Sequence, residues 1–324
     1  MNRPGTTSLG LAALAVALCG GAFAQAYPAK AIRVLSVFTP GSVADGAIRL
    51  IAQKMSASIS QPVVVEVQAG AGGVVGAQNL VRSVPDGYTI LHSPPATLLS
   101  TPYTLKPPPY DPLKDFSYIT HLTDVATCML VAASLPVNSV KELIDYARSH
   151  SGQLAYGSNG IGGAYHLEME LIKLKYGLDI THVPYKGGQD GLNAAAAGQI
   201  PIAFAPAASG LAQARAGKVK VLAVLNKQRY PTLPDVPAMA EQLPDYEKIP
   251  GGDEIVGPAG MSGAVLSRLH AEIVKALNNA EVLERLTKIG FLAVGNSPEE
   301  HAAQMRAAVE TFAKGRKAAH VEAE

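Results

Sequence analysis

Two glycine- and serine-rich turns are the residues of this chain best suited to bind an anion. The first is Pro40-Gly41-Ser42, which follows the apolar run from Ile32 to Phe38 and precedes a segment of helical spacing. The second runs from Tyr156 to Gly163 and is also followed by helical spacing. A turn of this kind directs backbone N–H groups outward at the positive end of a helix dipole, which suits a carboxylate or a phosphate.

One such turn is more often only a helix cap, so the argument depends on the pair. Charge-assisted hydrogen bonds contribute roughly 1.5–3 kcal/mol each and a helix terminus roughly 0.3–1 kcal/mol. Micromolar affinity needs about 8 kcal/mol after association costs of at least ~4 kcal/mol. We therefore expect a ligand that is held from both sides.

A third glycine-rich turn, Gly70 to Gly76, follows the apolar run from Val63 to Val67 and opens a helix. It is not a dinucleotide fingerprint, because Val75 occupies the third glycine position and no acid follows where a ribose would need one. Two interpretations stay open. The turn is a further amide-lined ligand loop, or Gly73 and Gly76 serve only close helix–strand packing.

Motifs for catalysis and metal binding are weak. The segment Gly157 to Gly160 is one residue short of a nucleophile elbow. A hydrolase using Ser158 with His166 is one alternative, but eight positions on one helical segment separate the two side chains too far for a hydrogen bond. His166 and Glu170 have a chelating spacing without a third ligand, and His182 is interpreted as a strand histidine. We predict no catalytic residue, no metal and no cofactor.

The N-terminus has the pattern of an export signal, residues 1–26, with a basic start at Arg3, an apolar run and an Ala-Phe-Ala site. Cleavage after Ala24 or after Ala26 would release a periplasmic protein with 26 basic and 26 acidic residues, since only Arg3 is removed from 27 and 26. No basic footprint for nucleic acid remains. The mature chain keeps a single cysteine, Cys128, so it cannot form an internal disulfide.

Apolar runs rich in Val and Ile alternate with helical spacing, which predicts an α/β fold with parallel sheets and crossover helices. Nearly 300 mature residues favour two cores. The tail from Ser262 predicts three helices that pack on the first lobe. Further predicted strands are Tyr88 to Leu91, Cys128 to Ala132, Ile202 to Phe204 and Val219 to Leu225.

Five blocks in order along the mature chain carry a family resemblance: FTPGSVADGAIRLIAQ, GAGGVVGAQNLVRSVPDGYTIL, YGSNGIGGAYHLEMELIK, HVPYKGGQDGLNAAAAGQI and VLAVLNKQRYPTLPDVPAMAE. Together they resemble the Bug family, the extracytoplasmic solute receptors of tripartite tricarboxylate transporters. The resemblance implies a two-lobed, type II periplasmic binding protein (Venus-flytrap) fold. It also implies a small organic carboxylate as ligand, membrane transporter subunits as partners, and a monomer.

Within this resemblance the first lobe comprises residues 27–127 and 253–324, and the second comprises residues 128–252. Asp45 and Arg49 are spaced i, i+4, so capping and pairing is the role expected of Asp45 even where it matches the family's turn. The residues carried over as ligand-binding are Pro40, Gly41, Ser42, Asp45, Gly70, Gly72, Gly73, Ser158, Gly160, Gly162, His166, Tyr185, Lys186 and Gly187.

The chain departs from the family pattern at Ala205-Pro206, where the resemblance leads us to expect an aspartate. A free α-amine on the ligand would lack an acidic partner there, so we expect a mono- or dicarboxylate rather than an amino acid. The family's aromatic residue after the second crossing is also missing, and Gly251 to Asp253 stands near that place. A ligand-sensing component of a signalling system is the other alternative that keeps this fold.

Overall fold

The computed structural model describes residues 27–100, 102 and 105–321, so the predicted export signal lies outside the described residues. Two separate β-sheets, each covered by helices on both faces, make up the structure. In the described ranges, no helix combines the length and apolarity that a bilayer crossing requires.

The first sheet has six strands in the order β11-β4-β10-β3-β1-β2. The three strands on one side of this sheet, β3, β1 and β2, are parallel, whereas β10 runs antiparallel to both β3 and β4, and β11 antiparallel to β4. Its strands are β1 (Ile32–Ser36), β2 (Val63–Val67), β3 (Thr89–Ser93), β4 (Phe116–Val125), β10 (Asp253–Pro258) and β11 (Phe291–Ala293).

The second sheet has five strands in the order β7-β6-β8-β5-β9. Here β6 is parallel to β7 and β8, and β5 is antiparallel to β8 and β9. Its strands are β5 (Thr127–Ala132), β6 (Leu154–Ser158), β7 (Ile180–Pro184), β8 (Ile202–Pro206) and β9 (Val219–Val224).

The prediction of parallel sheets is therefore wrong for part of each sheet. The strands that run against the others are β5, β10 and β11. Strand β5 enters the second sheet directly from β4, and β10 and β11 follow the return connection, residues 225–252. The chain leaves the first sheet at Val125 and enters the second at Thr127 after one intervening residue. A strand that enters a sheet from this edge must run against the parallel strands that end there.

The helices place most of their apolar side chains on the two sheets. On the first sheet, α1, α9 and α10 share one face while α2, α3 and α11 share the other. On the second, α4, α5 and α8 lie opposite α6 and α7. The helices are α1 (Val43–Ile59), α2 (Val74–Val81), α3 (Pro95–Leu99), α4 (Val140–Ser149), α5 (Ala164–Tyr176), α6 (Gly188–Ala196), α7 (Ala207–Arg215), α8 (Met239–Gln242), α9 (Gly263–Leu277), α10 (Ala280–Lys288) and α11 (Pro298–Ala318).

The predicted helices of the tail are present, and the last one contacts both halves of the molecule. Helices α9 and α10 pack on α1, whereas α11 lies on β4 and α3 and also against α5 of the second sheet. Phe312 of α11 and Leu167 of α5 belong to one buried cluster with residues of the first sheet. We propose that each sheet with its helices is one lobe; because β5 begins at Thr127, the second lobe then begins one residue earlier than the expected 128–252.

The return connection, residues 225–252, brings two backbones very close together. Gly252 has φ +74°, and a Cβ built there would lie 2.0 Å from the carbonyl oxygen of Thr123. Only glycine fits such an approach without displacing β4. The end of the return connection therefore lies directly against the end of β4.

Candidate functional site

The predicted ligand-binding turns lie at the carboxyl ends of parallel strands. In the first sheet the turns after β1, β2 and β3 share one edge, and in the second the turns after β6, β7 and β8 share one edge. The single residue Ala126 joins these two edges, because β4 ends and β5 begins there. The four predicted segments, residues 40–45, 70–73, 158–166 and 185–187, are thus brought to two facing edges, the placement in which open α/β sheets bind ligands.

In the first turn, hydrogen bonds within the turn occupy some of the predicted donors. The N–H of Gly41 donates to Asp45 Oδ2 at 2.9 Å, and the N–H of Asp45 donates to Ser42 Oγ at 3.2 Å. Arg49 pairs with the buried Asp45 carboxylate at 3.0 Å, and this hydrogen bond lowers the pKa of Asp45. Asp45 therefore holds the shape of the turn, which is the capping and pairing role expected from its spacing.

The second-lobe turn is held in the same way. The N–H of Gly160 donates to Ser158 Oγ at 3.1 Å, and the N–H of Gly162 donates to His166 Nδ1 at 3.0 Å. Asn159 Oδ1 accepts from the N–H of Tyr165 at 3.2 Å. The side chains of Ser158 and His166 thus support the turn rather than extend from it.

The N–H groups that are not used within the two turns are those at the starts of helices α1 and α5. In α1 the first intrahelical bond is from Gly46 N–H to Ser42, and Asp45 N–H is capped, which leaves the N–H groups of Val43 and Ala44. In α5 the first intrahelical bond is from Leu167 N–H to Gly163, so Ala164 N–H remains in the corresponding place. The sequence could not show that the N–H groups of Gly41, Gly160 and Gly162 are used within the turns, and ligand contact by these residues stays a prediction.

Ser158 has a histidine partner that the sequence did not reveal. Its Oγ lies 2.7 Å from His182 Nε2, not beside His166, and the rings of His166 and His182 stack at 3.8 Å. Burial lowers the pKa of His166. Burial, and electrostatic repulsion between the two rings when both carry a proton, lower the pKa of His182 to about 4. Both rings are therefore neutral at neutral pH.

This serine–histidine pair does not make a nucleophile. Ser158 is 1% exposed, and its Oγ also contacts the N–H and the carbonyl of Gly160. A nucleophile has to reach the substrate, and this oxygen is enclosed by its own turn. The pair was hidden in the sequence because its members lie 24 positions apart on the neighbouring strands β6 and β7.

The glycine-rich turn after β2 shows the packing role at two of its residues. A Cβ on Gly73 would lie 2.6 Å from Thr97 Oγ1, and one on Gly76 would lie 2.8 Å from Val37 Cγ1. The Thr97 hydroxyl also donates to the Gly72 carbonyl at 3.1 Å. Close packing thus explains these two glycines, and ligand contact by Gly70, Gly72 and Gly73 stays a prediction.

The segment after β7 lies beside the second-lobe turn. Tyr185 N–H donates to the Ser158 carbonyl at 3.2 Å, and Gly187 is the N-terminal cap residue of α6. Lys186 between them is exposed. An exposed cation thus follows directly after the residue that contacts the second-lobe turn.

Three large apolar side chains are exposed around the same turns. Val43 at the start of α1 is 52% exposed, Val75 at the start of α2 is 43% exposed, and Ile161 in the second-lobe turn is 72% exposed. Each follows a strand that ends at one of the facing edges. The amide donors are therefore bordered by apolar groups on both sheets.

A buried polar row at the edge of the first sheet also escaped sequence reasoning. Ser36 Oγ lies 3.3 Å from His92 Nδ1, and His92 Nε2 lies 3.5 Å from Asp253 Oδ2. All three are at most 2% exposed. Only the pairing of β1, β3 and β10 brings them together, so no sequence spacing could have revealed them.

The fold and this site define a two-lobed solute-binding protein: two α/β lobes with facing strand ends and helix-start amides on each side. Among the described residues, no group of three or more His, Cys, Asp or Glu side chains could hold a metal ion. The family model described as the tripartite tricarboxylate transporter family receptor, TctC, matches residues 47–317. The chain belongs to this family, which is one of periplasmic solute-binding receptors and not of enzymes.

Three similar proteins illustrate the relationship. Protein BugT of Bordetella pertussis is 31% identical over 279 residues, which are 86% of this chain and 85% of BugT. The structure of R. palustris Rpa4515 with adipate is 28% identical, with a TM-score of 0.68 over 92% of this chain and 100% of that one. MatC from Rhodopseudomonas palustris with bound malate is 26% identical, with a TM-score of 0.63 over 90% of this chain and 100% of that one.

Proposed function

We propose that this protein is a periplasmic receptor that captures a small organic carboxylate between its lobes and delivers it to the membrane subunits of a tripartite tricarboxylate-type transporter. The observation that carries the proposal is the pair of helix starts on facing sheet edges, with unpaired N–H groups at Val43 and Ala44 on one side and Ala164 on the other. Two carboxylate groups at opposite ends of a ligand would satisfy both sides.

The surroundings of these amides favour a dicarboxylate with a short carbon chain. Val43, Val75 and Ile161 would cover the apolar middle of such a ligand when the lobes close, and Lys186 would add one positive charge. The adipate of Rpa4515 and the malate of MatC are both dicarboxylates. No arginine lies in the turns, and arginine forks are what a more highly charged ligand usually requires.

The absence of an acid at Ala205 still argues against an amino acid. Asp253 does lie at the edge of the first sheet, but it is 2% exposed and beside His92. Its carboxylate is therefore enclosed by protein and is not positioned in the open cleft to pair with an ammonium group.

A thermal-shift panel tests the proposal. It would contain succinate, malate, adipate, citrate, an aromatic carboxylate, glutamate and a sugar. A ligand at ~100 times its dissociation constant should add about 2.7 kcal/mol to the free energy of unfolding. Stabilisation by a sugar or an amino acid, but by no plain carboxylate, would contradict the proposal.

A matched pair of variants locates the effect. Lys186→Gln removes the cation beside the second-lobe turn and should weaken carboxylate binding by about tenfold, the size of one charge-assisted hydrogen bond. Lys218→Gln removes an exposed lysine that precedes β9, at the far end of the second sheet, and should leave binding unchanged. Equal affinity in the two variants would exclude Lys186 from the site.

A further inference from the structure

A second cavity lies away from the facing edges, between α5, the return connection and α11. It has a volume of about 200 Å³, and most of its lining surface is apolar, with Leu171, Ile172 and Leu243 among the residues that form it. Its residues on α5 run from Glu168 to Tyr176, four to twelve positions from the helix start. None of its lining residues is a predicted ligand-binding residue, and at 1.5 Å per residue the middle of this stretch, Ile172, lies roughly 12 Å along the helix from Ala164, so the cavity is separate from the proposed carboxylate site.

Among the residues that the structure describes, two buried polar groups of this cavity have no hydrogen-bond partner. Glu168 is 3% exposed and its Oε1 is unpartnered, and Tyr246 is 7% exposed with an unpartnered hydroxyl. Both side chains line the cavity. A buried donor or acceptor without a partner costs roughly 1–3 kcal/mol, and such groups in native proteins usually have a ligand or a water as partner.

The charges around the cavity are already paired. Lys175 pairs with Asp245 at 3.1 Å, and Lys314 pairs with Glu247 at 3.1 Å. Burial raises the pKa of Glu168 well above its ordinary value, with the nearby Asp124 adding to the shift and Lys248 opposing it. An ionic ligand would therefore meet no spare opposite charge and would lose its hydration in an apolar cavity.

The volume of the cavity suits a ligand of about one ring. An engineered apolar cavity of 150 Å³ in another protein binds benzene. The volume of about 200 Å³ leaves room for a ring of that size with one small polar substituent. A hydroxyl group is the smallest substituent that can accept from one of the unpartnered groups and donate to the other.

We propose that this cavity binds an uncharged, single-ring hydroxyl compound of the phenol class, with its ring among Leu171, Ile172 and Leu243 and its hydroxyl bonded to Glu168 and Tyr246. The site is independent of the carboxylate cleft. It adds a second class of ligand to the protein, recognised by apolar contact and two hydrogen bonds rather than by helix-start amides.

A tryptophan reporter tests the proposal with phenol as the probe. The chain has no tryptophan, and Leu174 at the rim of the cavity is 67% exposed, so Leu174→Trp introduces a single reporter at little structural cost. Phenol should change its emission in a saturable way. Leu283→Trp on α10 is the matched control, since Leu283 is exposed and lies on the first lobe, and phenol should leave its emission unchanged.

The hydrogen bonds are tested by comparing phenol with toluene. On the Leu174→Trp protein itself phenol should bind at least about fivefold more tightly than toluene, the ratio that one net hydrogen bond supplies. Adding Tyr246→Phe should remove most of that preference and leave toluene affinity unchanged. Succinate, malate and adipate should not displace phenol.

Three results would overturn the proposal. One is the lack of a saturable response of Leu174→Trp to phenol, and another is equal affinity for phenol and toluene. The third is displacement of phenol by a carboxylate, which would place phenol in the cleft. The phenol–toluene comparison needs only the reporter protein, so it decides the question even if Tyr246→Phe does not fold.

Discussion

Lowering the pH should destabilise this protein through His182, whose ring lies against Ser158 and His166. The unfolded chain takes up a proton on this histidine near its ordinary pKa of 6.5, whereas the folded chain does so only at about 4. Between these two values unfolding gains a proton. The free energy of unfolding must therefore fall as the pH falls from about 6.5 to about 4.

The size of the effect follows from the two pKa values. If the whole difference between the two pKa values of His182 contributes, the free energy of unfolding falls by about 1.8 kcal/mol between pH 7 and pH 5. The His182 ring is partly exposed, and solvent screening reduces such shifts. We expect a loss of about 1 kcal/mol from this one residue, with His166 adding to it in the same direction.

Urea unfolding at pH 7 and pH 5, followed by circular dichroism, measures this loss. His182→Gln keeps a polar side chain beside Ser158 but does not titrate, so its stability should fall by about 1 kcal/mol less than that of the wild type. Ser158→Ala is the control, because it removes the contact at 2.7 Å but keeps the histidine. If wild type and His182→Gln lose the same stability, the buried histidine pair is not the cause.

Three further changes test the turns and the connection between the lobes. Replacing Gly41 or Gly162 by Val should abolish carboxylate binding, because φ is +77° and +72° and a β-branched residue would distort the turns that aim the helix-start amides. The protein should stay folded, because a Cβ meets open space at Gly41 and only Val321, at 3.7 Å, at Gly162. The strain costs about 1–2 kcal/mol; calorimetry with circular dichroism decides, and unchanged affinity in both variants would remove the amide argument. Asp45→Asn should cost about 1–2 kcal/mol at neutral pH by weakening the pair with Arg49. Because the pKa of Asp45 is lowered, that cost should disappear as the pH falls through the carboxyl range, and a pH-independent difference in urea unfolding would contradict the assignment. Lys248→Met should cost about 3 kcal/mol, because it leaves the buried Asp124 without its ion pair. Adding Asp124→Asn should recover part of the loss, and a double-mutant cycle without coupling would show that the pair is not formed.

Local patterns were sufficient for several elements and contacts. The alternation of helical and apolar segments predicted the strand Val63–Val67 at its observed bounds, and the i, i+4 spacing predicted the pair of Asp45 and Arg49. Both features depend only on neighbours in sequence. The turns after β1 and β6 could be found for the same reason.

Features that depend on strand pairing could not be read from the sequence. The ten-residue strand β4 mixes polar and apolar side chains, so its sequence does not show a buried strand. It is buried because β10 and β11 pair with its two edges and helices cover its faces. The contact between Ser158 and His182 needs the register of β6 and β7. The choice of Val43, Ala44 and Ala164 as free donors depends on hydrogen bonds that only three-dimensional geometry fixes.

The order of the strands in the first sheet affects how the chain can fold. Ser93 of β3 pairs with Glu254 of β10, which lies 161 positions further along the chain. All strands of the second sheet fall between those two residues. The second lobe can thus form from one continuous stretch of the chain. Closing the first sheet instead brings together strands that are far apart in sequence, which costs more loop-closure entropy. We expect the second lobe to gain protection from hydrogen exchange first during refolding, and β10 to be among the last strands to become protected.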